Sequence, residues 1–178
     1  MFFDVNFIVA QVFGIIVIIL GAIIAPHLKT KTRLLICDMI AILFQATAFL
    51  LLGAMTGVFA LGAIMSWVIV LFLYARVGKI APVWVLIGLM IIHSLSVAIS
   101  WNGWVSALML SPLARLYGLW QGNLQRTRVT FIITAIGFGL YSLLASAYVG
   151  ALNEAILIVS AIIALWRFRT KKTCDISV

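Results

Sequence analysis

Long apolar runs separated by short basic clusters are the feature that most limits what this chain can become. The clusters are Lys29/Lys31/Arg33, Arg76/Lys79, Arg126/Arg128 and Arg167/Arg169/Lys171/Lys172. Consecutive clusters stand roughly 40–50 residues apart, and a helix of about 20 residues spans the roughly 30 Å hydrocarbon layer of a membrane. Each interval therefore has room for two crossings, and the stretch before Lys29 for one. Of the 178 residues, 66% are hydrophobic and 9% charged, against roughly 45–50% and 25% in soluble domains. So little polar surface excludes a water-soluble globular chain, and so much apolar surface excludes a disordered one. The net charge of +8 does not signal nucleic acid, because the basic residues punctuate apolar spans instead of gathering on one polar face.

Turn formers without Lys or Arg divide each interval: Gly53-Ala54-Met55-Thr56-Gly57, Ser100-Trp101-Asn102-Gly103, and the stretch around Tyr148 to Gly150. Seven helices are expected, at about 6–25, 34–52, 58–76, 81–99, 104–120, 129–148 and 151–168. Eleven of the twelve Lys and Arg then lie on one face of the membrane, and only Arg115 lies inside a span. By the positive-inside rule that face is cytoplasmic and the N-terminus is outside. Met1-Phe2-Phe3-Asp4 carries no basic n-region, so the first run reads as a crossing and not a cleaved leader. Cys37 and Cys174 both fall on the reducing side and form no Cys-x-x-Cys pair, so neither a disulfide nor a metal is expected.

The two halves share a layout. Lys29 to Arg33, a helix, a small-residue hairpin ending at Gly57 and a helix ending at Arg76 make one unit. Leu124 to Arg128, a helix, a hairpin ending at Gly150 and a helix ending at Arg169 make another, with a shift of about 93–95 residues. Adding one helix before each unit gives two three-helix repeats, about 6–76 and 104–168, joined by a linker helix at about 81–99. A short basic cytoplasmic tail, 169–178, follows. The expected fold is thus an all-α, polytopic membrane bundle of seven transmembrane helices, arranged 3+1+3 within a single integral membrane domain over 1–178. The odd linker matters: with a fourth crossing between them, the two repeats run parallel, a known plan for secondary transporters with the site between the halves.

Ala10-Gln11-Val12-Phe13-Gly14 through Gly21, Ala48-Phe49-Leu50-Leu51-Leu52-Gly53 with Thr56-Gly57, Gly150-Ala151-Leu152-Asn153-Glu154 and Trp166-Arg167-Phe168-Arg169 resemble the YgjV-type bacterial inner-membrane proteins. The resemblance implies an inner-membrane location and a distant relation to the PQ-loop and SWEET-like (MtN3-like) proteins, whose seven helices are arranged three, one, three. That clan contains sugar and amino-acid transporters and also a retrieval receptor, so fold alone does not settle function. The sequence departs from the pattern: the clan's Pro-Gln signature stands here as Pro26-His27, and Ala48, Ile64 and Trp67 lie near places where polar residues occur in YgjV-type sequences.

Polar groups inside the spans are costly, so each calls for a role. Asp38 and Arg115 lie about 6 Å and about 9 Å inside the cytoplasmic ends of their helices. Similar depth allows an ion pair serving as an inner gate or as a static structural link. The alternative is that Arg115 snorkels to the interface while Asp38 meets Arg33 or water. Toward the outer side stand Gln11, Gln45, His93, Asn153 and Glu154, the candidate solute-binding set. At Glu154, desolvation disfavours the charged form, which suits proton coupling or a cationic or hydroxylated solute. Its competing reading is a solvated group capping the start of the last helix. His93, among Ser94 and Ser96, reads chiefly as an interhelical hydrogen-bonding group. Ser66 and Ser160 correspond across the repeat and either line a central pocket or permit close packing, as do Gly62-x-x-x-Ser66, Ala135-x-x-x-Gly139 and Ser142-x-x-x-Ser146. Most tryptophans lie near span ends, whereas Trp67 is near mid-span.

No His-Glu-x-x-His, Gly-x-Ser-x-Gly, Walker loop or clustered metal ligands occurs in the sequence. No enzyme activity, catalytic residue, cofactor or metal is therefore expected. The expected partners are membrane lipid and a small polar solute, with no nucleic acid. Two function classes remain: a SWEET-like carrier or facilitator for that solute, and a non-transporting accessory or receptor-type membrane protein.

Overall fold

The computed structural model describes residues 5–20, 31–121 and 124–168. Among them the chain forms α-helices and no strands: α1 (Val5–Ile18), α2 (Lys31–Leu51), α3 (Met55–Arg76), α4 (Val83–Ile99), α5 (Pro112–Gln121), α6 (Leu124–Leu144) and α7 (Tyr148–Phe168). A 3₁₀ segment, Trp104–Leu110, precedes α5. The expected inner end of the first helix and the tail 169–178 lie outside the described residues.

Two expectations are corrected. The helix expected over 104–120 is broken, because Pro112 has no N–H to give the preceding turn. Pro112 instead occupies the first position of α5, and the chain ahead of it tightens into the 3₁₀ segment. The hairpin expected around Tyr148 to Gly150 lies at Ala145–Ala147, so α6 ends and α7 begins earlier than expected. Ser146 is the reason: it adopts a left-handed backbone, φ 60°, which ends α6 and releases Tyr148 to start α7.

The α2–α3 and α6–α7 hairpins turn in the same way at an offset of 93 residues (146 against 53). Gly53, φ 71°, matches Ser146, φ 60°. The Ala54 N–H donates to the Phe49 carbonyl at 2.9 Å, and the Ala147 N–H to the Ser142 carbonyl at 2.8 Å. Val58 donates to Ala54, and Ala151 to Ala147, in the corresponding first turns of α3 and α7. Both turns satisfy the carbonyls left over at a helix end.

Each helix packs against its neighbours in sequence, and α1 also packs on α7, closing the bundle. The start of α1 lies by the α6–α7 turn, where Phe7 meets Tyr148 edge-on. The starts of α2 and α6 and the ends of α3 and α7 gather at the opposite end. Those four helix ends carry Lys31, Arg33, Arg76, Arg126, Arg128 and Arg167.

The core is apolar and aromatic, centred on Trp67, Phe49, Leu61, Met109 and Leu116. The outer faces are apolar as well. Ile8, Val12 and Ile15 on α1, Ile87, Ile91 and Leu95 on α4, and Val159, Ile162 and Ile163 on α7 are exposed at helical spacing. Such faces have no place in water. Met55–Arg76 and Arg126–Leu144 are long and apolar enough to cross a membrane, and Val5–Ile18, Leu35–Leu51, Val83–Ile99 and Tyr148–Ile163 are shorter apolar helices.

Candidate functional site

A cavity of about 200 Å³ lies inside the bundle. Its wall comes from α1 (Val17), α2 (Asp38, Gln45), α3 (Leu61, Ile64), α5 (Arg115), α6 (Phe131, Phe138) and α7 (Asn153, Glu154), and none of it from α4. The wall follows the same offset as the hairpins. Asp38, Ala41, Ile42 and Gln45 correspond to Phe131, Thr134, Ala135 and Phe138, and Leu61 and Ile64 to Glu154 and Leu157. Asp38 and Gln45 are thus polar where their counterparts Phe131 and Phe138 are apolar, and Ala41 and Leu61 are apolar where Thr134 and Glu154 are polar.

Arg115 and Asp38 are joined at 2.8 Å between Nη2 and Oδ2, each side chain 22% exposed. The guanidinium also lies over the ring of Phe131, 4.5 Å from its centroid, and 6.0 Å from that of Trp67. A carboxylate on one side and aromatic faces on the others offset the loss of water around this charge. Arg115 is therefore tied to Asp38 within the bundle. Its Nε is buried without a partner.

Glu154 is 8% exposed. It does not cap α7; it sits on the cavity wall, where the Asn153 Nδ2 donates to its Oε1 at 3.4 Å. Gly139 of α6 makes room for it, since a Cβ there would stand 3.2 Å from the Glu154 Cβ. Asn153 Oδ1 and Gln45 Nε2 are buried without partners. Gln45 also borders a smaller cavity beside Gln11 and Gly14.

The intervals between basic clusters contain a single charged residue each: Asp38, Arg115 and Glu154. All three line this one cavity.

Two members of the expected solute set are set apart from it. Gln11 is committed to the α6–α7 turn, donating from Nε2 to the Ser146 carbonyl at 3.1 Å and accepting the Val149 N–H at 3.0 Å. His93, fully buried, places Nε2 2.8 Å from the Met109 carbonyl and ties α4 to the 3₁₀ segment. Ser66 bonds back to the Ala63 carbonyl, Ser160 is exposed, and neither lines the cavity. Trp67 is a core residue, 1% exposed.

Sequence reasoning missed Phe131 and Thr134. The Thr134 and Ser111 hydroxyls each donate to the other's carbonyl, at 3.0 and 3.2 Å, which bolts α6 to the break before Pro112. A β-branched Thr one helical turn from Phe131 carried no signal that it would meet a serine on another helix. Tyr141 was missed as well. Its ring meets Phe49 edge-on at 5.5 Å, Phe49 lies 5.8 Å from Phe138, and the Tyr141 hydroxyl accepts the Gly57 N–H at 2.9 Å. These aromatics close the bundle between the cavity and the hairpin turns. Among the described residues no group of His, Cys, Asp or Glu could hold a metal ion.

A mostly apolar cavity that holds three charged groups, inside a bundle whose outer faces are apolar too, fits the plan of an integral membrane protein. Comparison with known families agrees: the Imp-YgjV family, bacterial inner membrane protein, matches residues 8–172. The chain belongs to this family. It is a bacterial inner membrane protein, and nearly the whole chain, cavity included, falls within the matched region. No curated protein and no solved structure matches it.

Proposed function

We propose that the chain crosses the inner membrane seven times as two parallel three-helix units, α1–α3 and the 3₁₀ segment with α5–α7, joined by α4. In this reading the N-terminus is outside and the basic ends face the cytoplasm. The broken fifth crossing keeps its reach, because seven 3₁₀ residues at about 2.0 Å and ten helical ones at about 1.5 Å give about 29 Å. The protein acts as a carrier or facilitator for a small polar solute held between the units.

The observation that carries this reading is the makeup of the cavity wall: three helices from each unit contribute, and the joining helix contributes nothing. Its polar atoms without partners give a desolvated solute replacement hydrogen bonds. The Asp38–Arg115 pair, nearer the basic ends, serves as the inner gate, and the Phe49–Phe138–Tyr141 cluster as the outer closure.

Purified protein in proteoliposomes, screened against radiolabelled small polar solutes, tests the proposal. The expected result is solute-specific uptake that Glu154→Gln or Gln45→Leu abolishes. Absence of flux for every solute, with reproducible co-purification of a second membrane protein, supports an accessory role instead.

A further inference from the structure

The cavity's unused valences and its charge define the solute more narrowly, and the inference that follows rests on reading the cavity as a solute site. Arg115 is already matched by Asp38 and shared between two rings. Among the described residues Glu154 has no such match, accepting only from the neutral Asn153. The wall therefore carries two carboxyl groups to one guanidinium, and in a low-dielectric interior an ionised Glu154 needs a cation beside it. Beside that carboxylate stands a second acceptor without a donor, Asn153 Oδ1. Elsewhere on the wall two residues each keep a donor without an acceptor, Gln45 at Nε2 and Arg115 at Nε.

We propose that this cavity binds a small hydroxylated ammonium cation. A primary ammonium group brings the positive charge that balances Glu154 and N–H donors for its carboxylate and for Asn153 Oδ1. A hydroxyl oxygen accepts from Gln45 or Arg115. A neutral polyol satisfies the hydrogen bonds but leaves the charge. An anion doubles the imbalance, and a zwitterion leaves it unchanged. The volume of about 200 Å³ holds several waters or a solute of a few heavy atoms, not an oligosaccharide.

The test is calorimetric titration of the detergent-solubilised full chain with four probes of similar size: ethanolamine, ethylene glycol, glycolate and glycine. Ethanolamine is expected to bind about tenfold or more tightly than each of the others. Glu154→Gln keeps the shape of the side chain and is expected to bring ethanolamine down to the ethylene glycol level. The proposal is overturned if ethanolamine fails to bind, if any of the other three matches it, or if Glu154→Gln leaves its affinity unchanged. The ranking on the unaltered protein stands even if the variant is unstable. Flux separates this inference from the carrier reading: ethanolamine binding without ethanolamine transport keeps the site's preference and removes the carrier. Transport of an uncharged solute without ethanolamine binding does the reverse.

Discussion

Gly53 and Ser146 occupy the same position in two matching turns, and both hold a left-handed backbone, φ 71° and φ 60°. Glycine tolerates that conformation, while a Cβ costs about 1–2 kcal/mol there. A Cβ at Gly53 meets nothing within 4 Å, so backbone strain is the whole effect. Gly53→Ala is expected to destabilise the protein by about 1 kcal/mol, and Ser146→Gly to stabilise it by about 0.5–1 kcal/mol. Thermal unfolding in one detergent checks both signs, and equal shifts of the same sign would contradict the shared turn geometry.

Removing one member of the Asp38–Arg115 pair leaves a charge inside the bundle. Fully buried pairs lose about 3–5 kcal/mol in this way, and the partial exposure of both side chains reduces the expectation to roughly 2 kcal/mol. Asp38→Asn alone is expected to lower stability more than Asp38→Asn combined with Arg115→Leu. A double-mutant cycle on melting temperature reads the difference; single and double changes of equal cost would mean that the pair contributes no coupling.

The Tyr141 hydroxyl accepts from the Gly57 N–H, one of the donors left over in the first turn of α3. Tyr141→Phe leaves that donor buried without a partner, at a cost of about 1–3 kcal/mol. Gly57→Ala acts on the same contact sterically, since its Cβ would stand 2.7 Å from Phe49 Cδ2 and 3.0 Å from Tyr141 Cε1. Both are expected to loosen the proposed outer closure, and hydrogen exchange at the start of α3 should rise in each. Unchanged protection in Tyr141→Phe would show that the aromatic packing alone holds this end.

If the chain crosses seven times with its basic ends inward, as proposed, the two termini lie on opposite faces of the membrane. An alkaline phosphatase fusion at the N-terminus is expected to be active and one at the C-terminus inactive, with the opposite pattern for a fluorescent-protein fusion. Termini reporting from the same compartment would require an even number of crossings.

The sequence by itself determined that the helices form, roughly where they turn, and at which end the cations gather. Those properties follow from local composition: apolar runs long enough to be helical, Gly53 at a turn, Lys and Arg excluded from hydrocarbon. The offset between the two matching turns was legible too, because the spacing of basic clusters and small-residue turns carried it. Which face of each helix turns inward was decided only by the tertiary structure. These helices are apolar all round, so no stripe distinguishes a core-facing side from a lipid-facing one. Gln11 and Gln45 have the same chemistry, and only packing commits the first to a turn and leaves the second on the cavity wall. His93 read from the sequence chiefly as a hydrogen-bonding group without naming its partner, Met109, and Glu154 as either a cap or a site residue until packing beside Gly139 put it on the cavity wall. Three lone charges far apart in the chain meet because each, excluded from lipid, can be accommodated only where other helices supply a partner or a cavity.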